Sequence, residues 1–221
     1  GDHLREVEKR AEAQFGGKAG LHLTDKLVNG KLMVDQGIIA GCAGGMYDNI
    51  AEAAAILNGH DTGSGYFSLS VYPPSVPVNL ELMENGVQQS LLASGALFKP
   101  CFCGPCFGAG DVPANNGLSI RHTTRNFPNR EGSKPADGQL AGVILMDARS
   151  IAATARNHGV LTSAADVDYM PPAPVQRRFD RKVYDRRVYF GFGHARPDAP
   201  LKYGPNICLL YTSPSPETLA N

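Results

Sequence analysis

The amino-acid sequence predicts an α/β protein with a mostly parallel sheet, and three observations lead to this prediction. Between residues 31 and 160, short apolar or alternating segments typical of strands are interspersed with segments of helical periodicity. Helices connect the first three predicted strands, as parallel pairing requires. The composition is 43% hydrophobic and 19% charged, so a chain of 221 residues has enough apolar side chains for a sizeable core.

The first predicted elements alternate between helix and strand. Residues 5–15 have amphipathic helical spacing, and residues 31–40 are apolar enough for a buried strand that ends just before Cys42. Residues 47–57 return to helical periodicity. Residues 66–72 then alternate like a strand and stop at two prolines, which end such elements.

The later elements begin with a longer helix over residues 78–94. The residues expected on its apolar face are Leu80, Met83, Val87 and Leu91. Residues 96–99 form a short strand that leads into a cysteine-rich segment. Another strand is predicted over residues 142–146, and Asp147 is the expected N-cap of a helix over residues 148–157.

The pattern divides the chain into four segments. Helical spacing starts at the first residues, so residues 1–30 are interpreted as the end of a preceding region, and the chain as a piece of a longer protein. Residues 31–164 form the α/β domain. Residues 165–207 contain many prolines and arginines and predict a surface linker. Residues 208–221 resemble translated adapter sequence, and we expect them to be an artefactual or disordered tail.

Charge and hydropathy argue against several classes of function. The formal net charge is zero, which gives no general attraction to nucleic acid or to an anionic membrane. The basic run over residues 177–187 is interleaved with Asp180 and Asp185, which favours a solvated face or a surface against other domains. No apolar run approaches the roughly 18 residues of a membrane helix. With no secretory signal visible, we expect a cytoplasmic protein.

The cysteines are distributed as in a metal or redox site. There are five, and three of them, Cys101, Cys103 and Cys106, lie within six residues. An odd and crowded set of this kind fits a disulfide framework poorly. Cys42 and the Cys103–Cys106 pair each follow a predicted strand, and ligands of parallel sheets bind at the carboxyl ends of the strands. Cys208 belongs to the expected tail and is set aside.

The spacing of these cysteines by itself leaves the chemistry open. Cys103-Gly-Pro-Cys106 puts two thiolates on one tight turn, where they could bind adjacent irons of a cluster or a single zinc ion. Cys101 or His122 could complete a zinc site. A C-x-x-C pair is also typical of thioredoxin-like redox centres.

Three separated motifs resemble those of the aconitase family. Residues 73–75, Pro-Pro-Ser, are similar to the family's P-G-S turn, and an ungapped stretch leads from there to Cys103-Gly-Pro-Cys-Phe-Gly108, which resembles C-G-P-C-x-G. Upstream, residues 35–42 resemble D-Q-x-x-I-G-S-C. Downstream, residues 125–130, Arg-Asn-Phe-Pro-Asn-Arg, resemble R-N-F-x-G-R.

The resemblance implies a three-layer α/β/α domain of the aconitase type that binds a [4Fe–4S] cluster. The implied cluster ligands are Cys42, Cys103 and Cys106. The implied substrate-binding residues are Arg125, Arg130 and Ser75, although Ser75 could equally cap the helix that follows it. The implied activity is that of a hydro-lyase, which dehydrates and rehydrates a hydroxy polycarboxylic acid. The expected partners are this small substrate and the absent domains of the same protein, and we expect neither a membrane nor a nucleic acid.

The chain departs from the family pattern at two places near the implied site. Ala43 and Gly44 stand where the family often has Thr and Asn, and Thr124 stands where it often has Asn before the first arginine. These departures indicate a divergent bacterial hydratase branch and leave the substrate open.

No catalytic base is evident, because His60, His122 and His158 are candidates by residue type alone. We therefore expect this polypeptide by itself to be inactive. Two alternative functions are a structural zinc domain that binds a partner and an RNA-binding regulator related to the aconitases.

Overall fold

The computed structural model describes residues 1–16, 20–124, 134, 137–177, 180, 182–187, 197–198, 203–204 and 207–210. The chain divides into two compact units, Gly1–Arg177 and Arg178–Asn221. The second unit contains helix α7 (Lys182–Arg187) and an antiparallel pair of strands, β8 (Tyr203–Gly204) and β9 (Ile207–Leu210).

The first unit contains all elements predicted for the α/β domain. Its helices are α1 (Asp2–Phe15), α2 (Gly41–Gly44), α3 (Tyr47–Leu57), α4 (Val76–Glu84), α5 (Val87–Ala93) and α6 (Ala148–Arg156). Its strands are β1 (Leu27–Val28), β2 (Lys31–Leu32), β3 (Gln36–Ile39), β4 (Ser68–Val71), β5 (Leu97–Phe98), β6 (Leu118–His122) and β7 (Gly142–Leu145). None of the helices described is both long enough and apolar enough to span a membrane.

The centre of this unit is a five-stranded sheet in the order β5-β4-β3-β6-β7, with every pair parallel. Strand β3 lies in the middle and is buried along its whole length. The helices packed against this parallel sheet confirm the predicted α/β class. Because the strands are parallel, the loops after β3, β4, β5 and β6 all leave the same edge of the sheet, and these loops carry the candidate site.

The two faces of the sheet differ in character. Helices α3 and α6 pack on the face that bears Gly37 and Ile120, where a side chain on Gly37 would come within 3.0 Å of Ile151 in α6. The opposite face carries polar side chains, among them Gln36 and Arg121, because side chains alternate between the faces of a strand. Residues of the cysteine-rich segment cover this polar face.

Two predicted elements are interrupted in the structure. The strand expected over residues 31–40 is divided into β2 and β3. The helix expected over residues 78–94 is divided into α4 and α5 at Gly86, which has a φ of 71°. This left-handed conformation is open to glycine but ends a helix for most residues. The break also changes the buried face: Leu82 and Leu91 are fully buried, whereas Leu80 and Met83 are exposed, so the expected face was wrong at these two positions.

The last residues of the first unit, Tyr169 and Arg177 among them, contact helix α3. Tyr169 donates a hydrogen bond to Glu52 (2.7 Å), and Arg177 pairs with Asp48 and lies over the Tyr47 ring, 5.1 Å from its centre. Arg177, the first arginine of the basic run, thus packs on the domain next to the start of α3.

Candidate metal centre

Cys42 lies at the carboxyl edge of the sheet because strand β3 ends three residues before it. The backbone N–H of Ala40 still donates to the carbonyl of His122 (3.0 Å), which extends the pairing with β6. Gly41 then turns the chain with a φ of 80°. Cys42 follows in the short helix α2, and its side chain is exposed.

Cys106 comes from a distant part of the sequence and lies against the Cys42 segment. Its sulfur would be 2.9 Å from a Cβ atom on Gly41, and the Thr124 hydroxyl oxygen would be equally close. A side chain at position 41 would therefore collide with both. Gly41 is required for its positive φ and because it lets the Cys106 sulfur approach the turn before Cys42.

Thr124 contacts Cys42 directly. Its hydroxyl oxygen lies 3.0 Å from the Cys42 sulfur and accepts a hydrogen bond from the backbone N–H of Ala43 at 3.1 Å. This residue follows strand β6, which pairs with β3, so the sheet brings the two loops together. The sequence identified Thr124 as a departure from the family pattern but did not indicate this contact.

The Cys103–Cys106 turn is a single 3-10 turn, in which the Cys106 N–H donates to the carbonyl of Cys103 (3.1 Å). Cys103 is exposed, whereas Cys106 is buried. The turn is closed further by the Ala109 N–H, which donates to the carbonyl of Gly104 (3.0 Å). The two cysteines thus sit on a compact loop with one thiol facing outward and one facing the Gly41 turn.

A buried polar network holds this loop on the sheet. Arg121, only 1% exposed, donates to the carbonyl oxygens of Pro105 (3.1 Å) and Asp111 (3.3 Å). Gln36 donates to the same Asp111 carbonyl (3.0 Å) and accepts a hydrogen bond from Ser119 (2.8 Å). The sequence did not indicate a role for Arg121, because an isolated arginine between apolar residues gives no signal of burial.

Tyr72 adds a contact at the far end of the loop. This residue follows strand β4, is 5% exposed, and donates its phenolic hydrogen to the Asp111 carboxylate. Burial raises the pKa of Tyr72 above its ordinary value, and the neighbouring Asp111 carboxylate adds to this effect. Tyr72 is therefore a neutral donor at physiological pH.

Close packing explains one departure from the family pattern. A Cβ atom on Gly44 would lie 1.8 Å from the carbonyl oxygen of His122, and one on Gly45 would lie 2.3 Å from that of Tyr72. No side chain fits at either position, because backbone atoms cannot move aside as a side chain can. An Asn at position 44 is thus excluded because helix α2 rests directly against His122 at the end of β6.

The residues proposed for a zinc site, Cys103 and Cys106 with Cys101 or His122, do not form a coordination site for one ion among the described residues. In the part of the chain that the structure describes, no three His, Cys, Asp or Glu side chains are close enough together to hold one metal ion. Burial raises the pKa of Cys101, which favours its neutral thiol. A cluster distributes its thiolates over several irons, so they do not converge on a single ion. Among the described residues, the structure brings Cys42 and Cys106 onto touching segments but does not gather the exposed Cys103 with them into one metal-binding group.

The histidine candidates lie in different parts of the fold. His122 is partly buried beside the site, and its Nδ1 atom has no hydrogen-bond partner among the described residues. His60 follows the far end of α3, about 16 Å along the helix from the Cys42 end. His158 pairs with Asp61 at 3.3 Å. Only His122 therefore lies close to the cysteine segments.

The expected substrate-binding residues are only partly described. Ser75 is the N-cap of α4, where its hydroxyl accepts from the Val78 N–H at 3.5 Å, so the capping role is observed. It lies at the same sheet edge as Cys42, after β4. Arg125 and Arg130 lie outside the described residues, and their proposed role stays a prediction.

Comparison with known proteins gives a consistent family. A family model described as "Aconitase family (aconitate hydratase)" matches residues 2–153. A 3-isopropylmalate dehydratase large subunit of Bifidobacterium longum subsp. infantis is 30% identical over 172 residues, which are 75% of this chain and 34% of that protein.

Two further relatives carry similar names. A 3-isopropylmalate dehydratase large subunit of Nitratidesulfovibrio vulgaris is 30% identical over 129 residues, 58% of this chain and 31% of that protein. The large subunit 2 of Pyrococcus furiosus is 35% identical over 112 residues, 50% of this chain and 29% of that protein. The chain spans about a third of the length of each of these relatives.

Proposed function

This chain belongs to the aconitase family, and we propose that it forms the [4Fe–4S]-binding part of a hydro-lyase acting on a hydroxy polycarboxylic acid. The observation that carries the proposal is the approach of the Cys106 sulfur to the Gly41 turn, next to Cys42. Two cysteine motifs about sixty positions apart in sequence thereby meet at the carboxyl edge of one parallel sheet. Such an edge is where ligands of α/β sheets bind.

Cys42, Cys103 and Cys106 are the residues that would hold the cluster. A cluster bound by three thiolates supplies a Lewis-acidic iron with an open position for substrate oxygens. The Thr124 hydroxyl and the Ala43 N–H are the polar groups next to Cys42. Hydrogen bonds of this kind orient a ligand and modify its electron density.

The substrate is proposed to be bound by its carboxylates. Arg125 and Arg130 would each offer a planar pair of N–H donors, a geometry that lysine lacks. Ser75, already engaged as an N-cap, could contribute its hydroxyl at the same edge. The relatives named above are dehydratases, which supports a hydroxy acid as the substrate class without selecting one.

The remaining groups of the active site are proposed to come from outside the described domain. Along the chain, residues 1–30 would be the end of a preceding region, 31–164 the α/β domain, 165–207 a linker and 208–221 a tail, although residues up to Arg177 form one compact unit with the domain. The base and acid would be supplied by other domains or by a small subunit, because the relatives are named as large subunits. The polypeptide alone is expected to bind the cluster without turning over substrate.

Anaerobic reconstitution with iron and sulfide tests the proposal. The protein should develop the broad absorbance near roughly 400 nm that thiolate-bound clusters give. Cys42→Ser, Cys103→Ser and Cys106→Ser should each lose this absorbance or reduce it strongly, whereas the matched control Cys101→Ser should keep it. A protein that retains zinc and stays colourless would instead support the zinc-domain alternative.

A further inference from the structure

Arg121 is the largest side chain among the fully buried residues of the described chain, and it sits beneath the cysteine loop. Its hydrogen bonds to described residues include four to oxygens: Pro105 O (3.1 Å), Asp111 O (3.3 Å), Gln36 Oε1 (3.4 Å) and Ser119 Oγ (3.0 Å). The guanidinium keeps its charge at every physiological pH. A permanent positive charge therefore lies directly under the turn that bears two thiols.

Two of these acceptors are backbone carbonyls of the loop that carries Cys103 and Cys106. Pro105 immediately precedes Cys106, and Asp111 stands near the end of the same loop. One planar guanidinium thus ties Pro105 and Asp111, two points of the loop between β5 and β6, to strand β6, and Gln36 ties Asp111 to β3 through the same carbonyl. A lysine has a single ammonium head, which could not bridge these separated acceptors in one plane.

Stability alone gives little reason for a charge at this position. Removing a guanidinium from water is costly, and the hydrogen bonds of a buried charge often do no more than offset that cost. Well-packed apolar residues of similar volume often serve a buried strand equally well. The polar residues on this face of β3 and β6 are therefore better explained by the hydrogen bonds that they make to the cysteine-bearing loop than by the stability of the sheet.

We infer that Arg121 is a positioning residue of the thiol site: it fixes the Cys103–Cys106 turn against the Cys42 segment and holds a positive charge beneath it. The inference concerning the charge rests on the proposed cluster, whereas the inference concerning the loop does not. A fixed turn keeps the Cys106 sulfur beside Gly41. A positive charge in a region of low dielectric favours the anionic, thiolate-bound state of the site.

The experiment compares Arg121→Met and Arg121→Lys with the wild type, with Arg156→Met as the matched control. Arg156 also donates to a backbone carbonyl, that of Asp168 (2.9 Å), but it lies at the end of α6 and outside the network. The first measurement is amide hydrogen exchange of Cys106, Phe107 and Ala109 in the protein before reconstitution. The second is the decay of cluster absorbance and the midpoint potential after reconstitution.

The expected results separate the two roles of Arg121. Both Arg121 variants should lose protection of the loop amides and lose the cluster about 10–100-fold faster, as changes around a metal ligand do. Arg121→Met should also move the midpoint potential to more negative values, because it removes the charge altogether, and the shift should be smaller in Arg121→Lys, whose amine can still take up a proton. Arg156→Met should behave as the wild type in every measurement.

The outcomes that overturn the inference are equally specific. Either Arg121 variant, folded by circular dichroism and with unchanged loop protection and cluster decay, would show that Arg121 does not position the site. If Arg121→Met does not fold, Arg121→Lys decides the question by the same measurements. If the wild type binds no cluster, the proposed function fails, and the exchange measurement still supports or refutes the loop inference.

Discussion

The hydroxyl oxygen of Thr124 lies 3.0 Å from the sulfur of Cys42, although the two residues are 82 positions apart in sequence. The contact exists because β3 and β6 are parallel neighbours, with Ile39 opposite His122, so the loops after them start side by side. Thr124 also accepts the Ala43 N–H, which fixes the orientation of its hydroxyl group. It links the two loops at the proposed cluster site.

Replacing Thr124 by Val should weaken cluster binding while leaving the fold intact. Valine has nearly the same shape but lacks the hydroxyl, so the sulfur of Cys42 loses its partner. We expect the reconstituted cluster to decay about 10–100-fold faster under chelator, measured by absorbance. Thr124→Ser, which keeps the hydroxyl, should restore most of the lifetime, and an unchanged lifetime in Thr124→Val would show that the contact has no part in holding the cluster.

Replacing Gly41 by Ala should be strongly destabilising. The new methyl group would meet the Cys106 sulfur and the Thr124 hydroxyl at 2.9 Å, and a φ of 80° strains any residue with a Cβ atom. We expect a loss of about 1–3 kcal/mol in the free energy of unfolding, measured by urea denaturation.

Gly30→Ala is the matched control for this change. Gly30 has a similar φ of 75°, but no atom lies within 4 Å of the position that its Cβ would occupy. It should therefore show the backbone strain without the collision. Equal losses in the two variants would mean that the approach of Cys106 to Gly41 adds nothing to the effect.

Replacing Asp147 by Ala should destabilise helix α6. The Asp147 carboxylate accepts from the backbone N–H groups of Arg149 (3.1 Å) and Ser150 (3.2 Å) and from the Ser150 hydroxyl (2.8 Å). Loss of this N-cap should reduce the free energy of unfolding by about 1 kcal/mol. Asp147→Asn should recover much of it, since the single asparagine oxygen can still accept the two backbone N–H groups.

The contribution of Asp147 should also depend on pH. Burial acts to raise the pKa of this carboxyl group, but hydrogen bonds from Ser150 and Arg149 outweigh it and hold the pKa below its ordinary value. The stabilisation is therefore complete above the unfolded-state pKa of about 3.9 and is lost as the pH falls below it. Chemical denaturation between pH 6 and pH 3 should show a smaller fall in stability for Asp147→Asn than for the wild type.

His122 should make the protein less stable at mildly acidic pH. Burial lowers the pKa of this side chain, and the opposing attraction of Asp147 does not restore it. The unfolded chain, with a histidine pKa of about 6.5, therefore binds the proton more readily, and stability falls as the pH drops below that value. The uptake of one proton can change the free energy of unfolding by at most about 1.4 kcal/mol per pH unit. Because the His122 ring is partly exposed, we expect a smaller slope.

His122→Asn checks this prediction by urea denaturation between pH 7.5 and 5. The variant should lose part of the slope of stability against pH. A slope identical to that of the wild type would mean that His122 titrates alike in the folded and unfolded chains.

Much of the fold could be predicted from local patterns. The helix over residues 47–57 was expected and is observed with the same bounds, because its apolar residues repeat at helical spacing. Asp147 was expected to cap α6, and its side chain does so. The break at Gly86 was not predicted, since the apolar spacing on its two sides resembles that of one continuous helix. Strand β6 was not predicted either, because it contains the polar residues Ser119 and Arg121.

The sequence by itself determined the α/β class, the family and the grouping of Cys42, Cys103 and Cys106 as one candidate site, because motifs and periodicity depend on residues near one another in the chain. Only the tertiary structure decided that Thr124 touches Cys42, that Gly44 leaves no room for a side chain, and that Arg121 is buried beneath the cysteine loop. These relationships depend on the order and register of the strands. Strand order and register arise from packing over the whole core, and no short segment of sequence encodes them.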